Sequence, residues 1–180
     1  MIALSLLLDA RATEAPVFVD VEIDPVNYVL GGASLSAGVQ VGRVRGGLGS
    51  WFLEVPPAFH GAPGLDLHEA GSTLRAEVSL GPRRRGAYVG AIGQLVSARL
   101  VDHGSGLTDR IATGMAGVEG GVRVRLPAGF YVNPWLALGA RLGPGRLAAG
   151  DATYELPWYV ALPIVHLGWH APVNEPGAAR

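Results

Sequence analysis

Residues 112–126 read ATGMAGVEGGVRVRL, and after a short turn residues 130–142 read FYVNPWLALGARL. Apolar side chains take almost every second position in both segments, with glycine, polar or charged residues between them. A period of two is typical of a β-strand that has one apolar face. Proline and glycine lie between the segments, so the pair forms a predicted hairpin. The length of each segment approaches what a tilted strand needs to cross a bilayer.

The same alternation recurs along the chain and predicts eight strands in all. The other six cover roughly residues 16–24, 28–41, 48–55, 72–80, 87–101 and 158–170. Short turns are predicted at 42–47, 81–86 and 127–129, and longer loops at 58–71, 102–109 and 143–156. Residues 24–27 form a short exception among the long loops. The alternation within 87–101 changes phase near Ser97, which indicates a β-bulge.

Composition restricts the function of this 180-residue chain, whose length fits one domain. Charged residues make up 16%, below the roughly 25% of ordinary soluble domains. The net charge of −1 gives no reason to expect nucleic acid as a partner. All basic residues are arginines, which excludes P-loop and Schiff-base lysines. The absence of cysteine excludes disulfides and thiolate metal sites.

Alternation alone leaves two orientations open, because the apolar face can point outward to lipid or inward to a core. The opposite faces carry glycine, serine and charges of both signs, which suits an enclosed polar lumen where buried charges must be paired. We therefore predict a lumenal charge network of Asp20, Glu22, Arg75, Glu77, Arg99, Glu119, Arg123, Arg125 and Arg141. The alternative is a soluble lipocalin-like barrel that binds a small apolar ligand.

Aromatic residues cluster near the predicted strand ends, where amphipathic rings occupy the membrane–water interface. We predict an aromatic girdle made of Tyr88, Phe130, Tyr131, Trp158, Tyr159 and Trp169.

Over roughly residues 17–169 the chain resembles the small eight-stranded bacterial outer-membrane β-barrel proteins. The resemblance rests on the Arg/Glu-lined strand faces, the aromatic strand ends and the closing segment PIVHLGW at residues 163–169. One departure is that eleven residues follow Trp169, whereas such barrels often end on an aromatic residue.

This resemblance implies an all-β, antiparallel, up-and-down, eight-stranded transmembrane β-barrel in the bacterial outer membrane. It implies a porin-like envelope protein with a structural, adhesive or small-pore role. Expected partners are outer-membrane lipid, lipopolysaccharide and the barrel assembly machinery, and the expected state is a monomer.

Residues 16–171 are the predicted barrel domain, followed by a polar tail at 172–180. Residues 1–15 are interpreted either as the remnant of a signal peptide or as an N-terminal extension. Their short apolar run lacks the basic region that signal peptides carry.

Two groups of residues invite a chemical function, and we expect neither to have one. His60, Asp66, His68 and Glu69 share a predicted loop, where solvated side chains are the simpler interpretation than a metal site. His103 and Ser105 resemble a hydrolase pair, but neighbours in a glycine-rich loop usually form a turn. No catalytic residue, metal or cofactor is therefore predicted, and the chain is not expected to be an enzyme.

Overall fold

The computed structural model describes residues 15–62, 64–81 and 86–174. The signal-peptide interpretation concerns residues 1–15, of which 1–14 lie outside the described residues. The same is true of the end of the polar tail, residues 175–180.

Strands dominate the structure, and its helices are short. In chain order the elements are β1 (Val17–Ile23), α1 (Pro25–Val29), β2 (Ala33–Val41), β3 (Val44–Val55), α2 (Pro57–His60), β4 (Leu65–Ser79), β5 (Gly86–Asp102), β6 (Thr108–Arg125), a 3-10 turn (Pro127–Gly129), β7 (Phe130–Leu142), β8 (Arg146–Ala149), β9 (Ala152–Glu155) and β10 (Tyr159–Asn174).

Eight of these strands close into a barrel in the order β1-β2-β3-β4-β5-β6-β7-β10. Every neighbouring pair is antiparallel, and the ring is closed by β1 against β10, with Val21 opposite Trp169. The predicted up-and-down eight-stranded barrel is confirmed. Strands β8 and β9 form a separate two-stranded hairpin within the β7–β10 connection.

Several predicted boundaries shift in the structure. Strand β2 begins at Ala33, so residues 24–32 form a longer connection that contains α1. Asp24 caps this helix by accepting a hydrogen bond from the Val26 N–H at 2.9 Å, and Pro25 supplies the first helical φ angle. Strand β3 begins at Val44, inside the predicted turn, and β10 continues to Asn174, beyond the predicted domain limit at 171.

The two ends of the barrel differ. The β2–β3, β4–β5 and β6–β7 connections lie at one end, here called the turn end, where β1 starts and β10 finishes. The β6–β7 turn places Ala128 and Gly129 at φ angles of 58° and 84°. The opposite end, here called the loop end, carries α1, α2, residues 103–107 and the β8–β9 hairpin. This is the predicted asymmetry of short turns and longer loops.

The outer face of the barrel is apolar. Val118, Leu138 and Leu74 expose 63%, 52% and 61% of their surface although they sit in the middle of strands. At the same height, Arg75 and Glu77 of β4 and Glu119 of β6 point inward and are buried. A soluble lipocalin-like barrel would have the reverse arrangement, so the structure does not favour that alternative. Within the described residues, no helix is long and apolar enough to span a bilayer.

Candidate functional site: a charged lumen

The inward faces of the strands near the turn end bring charged residues together. Period-two alternation places Asp20 and Glu22 of β1, Arg75 and Glu77 of β4, and Glu119 of β6 on the same side of the wall. Each of these five side chains is at most 7% exposed. Arg45 of β3, Arg123 of β6 and His166 of β10 complete the cluster, at 1%, 8% and 7% exposure.

Glu22 is the hub of this cluster. Its Oε2 accepts from Arg75 at 3.0 Å, from His166 Nδ1 at 3.1 Å and from Arg45 at 3.4 Å. Its Oε1 accepts from the Tyr131 hydroxyl at 3.0 Å and from the Asn133 amide at 3.1 Å. Five donors from four other strands therefore converge on one carboxylate that is 1% exposed.

Arg45 connects the hub to two further acids. Its Nε donates to Asp20 at 2.9 Å, and its Nη1 donates to Glu77 at 2.7 Å. A Cβ atom at Gly38 would lie 2.6 Å from the Arg45 guanidinium, so glycine is required for this guanidinium to lie flat against the wall. The other oxygen of Glu77 accepts from Arg123.

Arg75 forms the second bridge across the lumen. Its Nε donates to both oxygens of Glu119, at 2.9 and 3.1 Å, and its Nη2 donates to the Tyr88 hydroxyl at 3.1 Å. The guanidinium also lies 4.5 Å from the centre of the Trp135 ring, within the range of a cation–π contact. Arg123 makes a similar contact with the Tyr88 ring at 4.3 Å.

The charges of this network nearly cancel. Three guanidinium groups, of Arg45, Arg75 and Arg123, face four carboxylates and the imidazole of His166. Desolvating so many charges is costly unless each is paired, and removing one partner of a buried pair typically costs about 3–5 kcal/mol. The network therefore has to be complete to be stable.

The network also blocks the lumen. On its turn-end side a cavity of about 20 Å³ remains, lined by Phe18, Gln40 and Arg125 among others. On its loop-end side lies a chamber of about 130 Å³, bordered by Thr73, Gln94 and Trp135. The chamber has room for a few water molecules. Side chains nearly fill the interior, as expected for eight strands.

Beyond the chamber the interior becomes apolar. Leu65, Leu67, Ala98 and Leu100 of the barrel wall pack against Leu147, Ala149 and Leu156 of the β7–β10 connection. Leu67, Leu100 and Leu147 are at most 1% exposed. The β8–β9 hairpin thus folds into the mouth of the barrel and caps it at the loop end.

Six of the nine predicted lumenal residues make the network contacts given above, and the other three lie nearer the two ends of the barrel or on its outer face. Arg125 lies half-buried at the turn end, beside the small cavity. Arg141 is also half-buried and donates from Nε to the Pro157 carbonyl at 3.0 Å, near the loop end. Arg99 is exposed on the outer face, so its predicted lumenal position is corrected.

Arg99 points outward because the interior of the barrel changes from polar to apolar towards the loop end. The register of β5 with β4 is unbroken through Ser97, so the predicted β-bulge is wrong. The hydrophobic phase changes because Ala98 and Leu100 face the apolar cap, whereas Gln94 faces the chamber. Arg99 therefore keeps the outward direction of Leu95.

Four residues of the predicted girdle face outward and two face inward. Phe130 and Trp169 lie opposite each other at the turn end, and both are exposed. Trp158 and Tyr159 are exposed at the loop end. Tyr88 and Tyr131 are 2% and 3% exposed and belong to the lumenal network, which corrects their assignment.

The loop histidines make local contacts. His103 Nε2 lies 2.5 Å from Asp66 Oδ2, and this contact raises the pKa of the histidine. The Ser105 hydroxyl donates to Asp102 at 2.6 Å, which lowers the pKa of that carboxyl. His103 and Ser105 thus use different acids as partners. Asp66, His68 and Glu69 belong to β4, not to a loop. Among the described residues, no group of three or more potential ligands is placed to hold a metal ion.

The sequence matches no protein-family model and no curated protein sequence. Solved structures are similar to it. Neisserial surface protein A aligns with a TM-score of 0.56 at 13% identity, over 87% of this chain and 96% of that one. The chain has the fold of the eight-stranded outer-membrane barrels. The N-terminal β-barrel domain of Pseudomonas aeruginosa OprF aligns with a TM-score of 0.51 at 13% identity, over 87% and 97%. The fold-level resemblance predicted from the sequence is therefore confirmed.

Proposed function

We propose that this protein is an integral β-barrel of a bacterial outer membrane with a structural or adhesive role and a closed lumen. The observation that carries the proposal is the wall of the barrel, which exposes aliphatic side chains on its outer face and buries eight charged or titratable groups in one network on its inner face. Only a surrounding apolar solvent makes both arrangements favourable at once. The similarity to a Neisserial surface protein and to the OprF barrel domain supports the same location.

The loop end supports the adhesive part of the proposal. Val29, Phe59 and Trp158 expose 84%, 77% and 76% of their surface at this end. Loops held by a rigid scaffold are common binding surfaces. We propose that these loops face outward from the cell and that the turn end faces the periplasm.

The lumen supports a structural rather than a conducting role. The network leaves a chamber of about 130 Å³ on one side and a cavity of about 20 Å³ on the other. A small pore would need Arg45 or Arg75 to leave its partners, and each has at least two acids as partners.

The proposal includes four further points. The barrel assembly machinery inserts the chain, outer-membrane phospholipid and lipopolysaccharide surround it, and the barrel works as a monomer. The protein has no catalytic activity; the separate acid partners of His103 and Ser105 support this point.

The first test is gel migration in SDS with and without boiling, on protein taken from the outer-membrane fraction. A closed barrel resists SDS until it is heated, because it offers no open strand edge. We expect a faster unboiled band in that fraction. A single heat-independent band, or recovery in the soluble fraction, would refute the membrane assignment. Planar-bilayer recording tests the closed lumen separately, and stable channel steps from the unmodified protein would overturn it.

A further inference from the structure

The outer wall carries a charged row at the loop-end edge of its apolar band. Glu54, His68, Arg99 and Arg110 lie on adjacent strands β3 to β6 and are direct neighbours in register. Moving from the turn end, they are the first charged or titratable side chains on the outer face of these four strands.

The position of this row coincides with the expected edge of the bilayer. Glu54 lies ten residues after Val44, the first residue of β3, and His68 lies ten residues before Val78 on β4. Ten residues of strand tilted by about 40° rise roughly 25 Å. This is the height of the apolar band of outer-membrane barrels, so the row lies at headgroup level.

Arg99 and Arg110 face each other directly across β5 and β6. Like charges in this position destabilise a sheet. Both side chains are exposed, and neither forms an ion pair or side-chain hydrogen bond with the described residues. An anion that bridges the two guanidinium groups would relieve the repulsion and match their donor geometry.

Directly below this row the wall is indented. The two register rows on its turn-end side carry small side chains at Ser50, Ala70, Ser72, Ser97, Ala112 and Gly114. Phe52, Leu95 and Leu142 border them, and together they line an open groove of about 930 Å³. Ser50 and Ser72 hydroxyls lie 3.5 Å apart on its floor.

We propose that this groove and the Arg99–Arg110 pair bind one acidic phospholipid-type molecule, with its phosphate at the arginines and an acyl chain in the groove. The proposal rests on the membrane assignment above. The two positive charges favour an anionic lipid headgroup. The groove lies below headgroup level, among the hydrocarbon tails, so it favours an acyl chain as its occupant. An arginine near a membrane surface favours an anionic lipid by about fivefold, so the pair favours it about 30-fold.

Native mass spectrometry of the detergent-solubilised barrel tests this with dioleoyl phosphatidic acid and dioleoyl phosphatidylcholine, which have the same chains. We expect retention of phosphatidic acid at about 30-fold lower concentration. The R99Q/R110Q variant should lose most of this preference. The matched control R43Q/R146Q removes two exposed arginines away from the groove and should keep it.

The groove is tested by Ser72→Leu, which fills the floor without changing charge and should weaken retention of the long-chain lipid. Dihexanoyl phosphatidic acid and inorganic phosphate, added as competitors, should displace the long-chain lipid poorly. Efficient displacement would show a headgroup-only anion site and overturn the groove assignment. Equal binding of the two dioleoyl lipids, or equal losses in both double variants, would overturn the proposal. A heat-modifiable barrel with these negative results would leave the proposed function intact.

Discussion

Glu22→Gln is the sharpest perturbation of the lumenal network, because it removes one charge and almost no volume. The carboxylate accepts from three donors at Oε2 and from two at Oε1. A glutamine keeps one acceptor oxygen, and its NH2 group must face donors in either orientation. If that group faces Tyr131 and Asn133, the Tyr131 hydroxyl must rotate to accept and the Asn133 amide must flip so that its Oδ1 accepts. If it faces Arg75, Arg45 and His166, charge-assisted bonds are lost.

The expected destabilisation follows from these contacts. Rearranging the two neutral bonds costs at most about 1 kcal/mol each, and the larger cost is the missing charge, which leaves the buried Arg45 and Arg75 with less compensation. We therefore expect Glu22→Gln to lower the free energy of unfolding by about 3–5 kcal/mol. Urea unfolding of the barrel in detergent or vesicles measures this, with the SDS-gel band shift as the readout of the folded fraction.

Glu119→Gln is the matched control within the network. Glu119 is also buried, at 4% exposure, but within the described part of the chain its hydrogen bonds come only from Arg75 Nε. A glutamine oxygen can keep accepting that bond, so the expected loss is about 1–2 kcal/mol. Glu54→Gln, exposed on the outer face, should change stability little. A loss below about 1 kcal/mol for Glu22→Gln, or equal losses at both buried sites, would refute the hub interpretation.

Three further predictions concern other parts of the barrel. His103 is expected to titrate above its usual pKa, because its hydrogen bond to Asp66 raises the pKa. The His103–Asp66 contact should hold at low pH and weaken as the pH rises through the raised pKa. Asp66→Asn should abolish the shift in a histidine NMR titration. Leu100→Ala should destabilise the apolar cap by about 2–5 kcal/mol, seen as faster amide exchange in the β8–β9 hairpin; unchanged exchange there would contradict the packing. Leu138→Arg should cost about 2–4 kcal/mol in lipid vesicles, and no loss would place this residue away from the bilayer core.

The barrel could be predicted because period-two alternation is a local property. In β6, Val118, Val122 and Val124 alternate with Glu119 and Arg123 strongly enough to show both the strand and its two faces. The number of strands and the distribution of short turns followed from the same pattern. No long-range contact had to be known for this part of the prediction.

The contacts of Glu22, the hub of the network, could not be predicted from local alternation. The turn predicted at residues 42–47 includes Arg45 because three glycines there suggest a turn, although the alternation of Val44, Gly46 and Leu48 is a usable signal. His166 lies in the last predicted strand but is not among the predicted lumenal residues. Its pairing with Glu22, 144 residues away, depends on barrel closure, which no local pattern reveals.

Tyr131 and Arg99 show two further limits of prediction from the sequence. Tyr131 follows Phe130, and adjacent strand residues face opposite sides, so parity alone could have placed one of them inside. The sequence prediction places Arg99 in the lumen because it assumes that hydrophobic side chains face lipid along the whole length of the barrel. In the structure Leu100 faces inward, because the inserted hairpin supplies an apolar core there.

The contact between Glu22 on the first barrel strand and His166 on the last has a kinetic consequence. The two residues reach each other only when β1 pairs with β10, the contact of greatest sequence separation in the fold. Closing so long a stretch of chain is entropically costly and slow. Before the seam closes, Glu22 lacks three of its five hydrogen-bond donors, His166, Tyr131 and Asn133. A half-closed barrel therefore holds a carboxylate that is incompletely hydrogen-bonded, and we expect seam closure and the completion of its donor set to be one cooperative event late in folding.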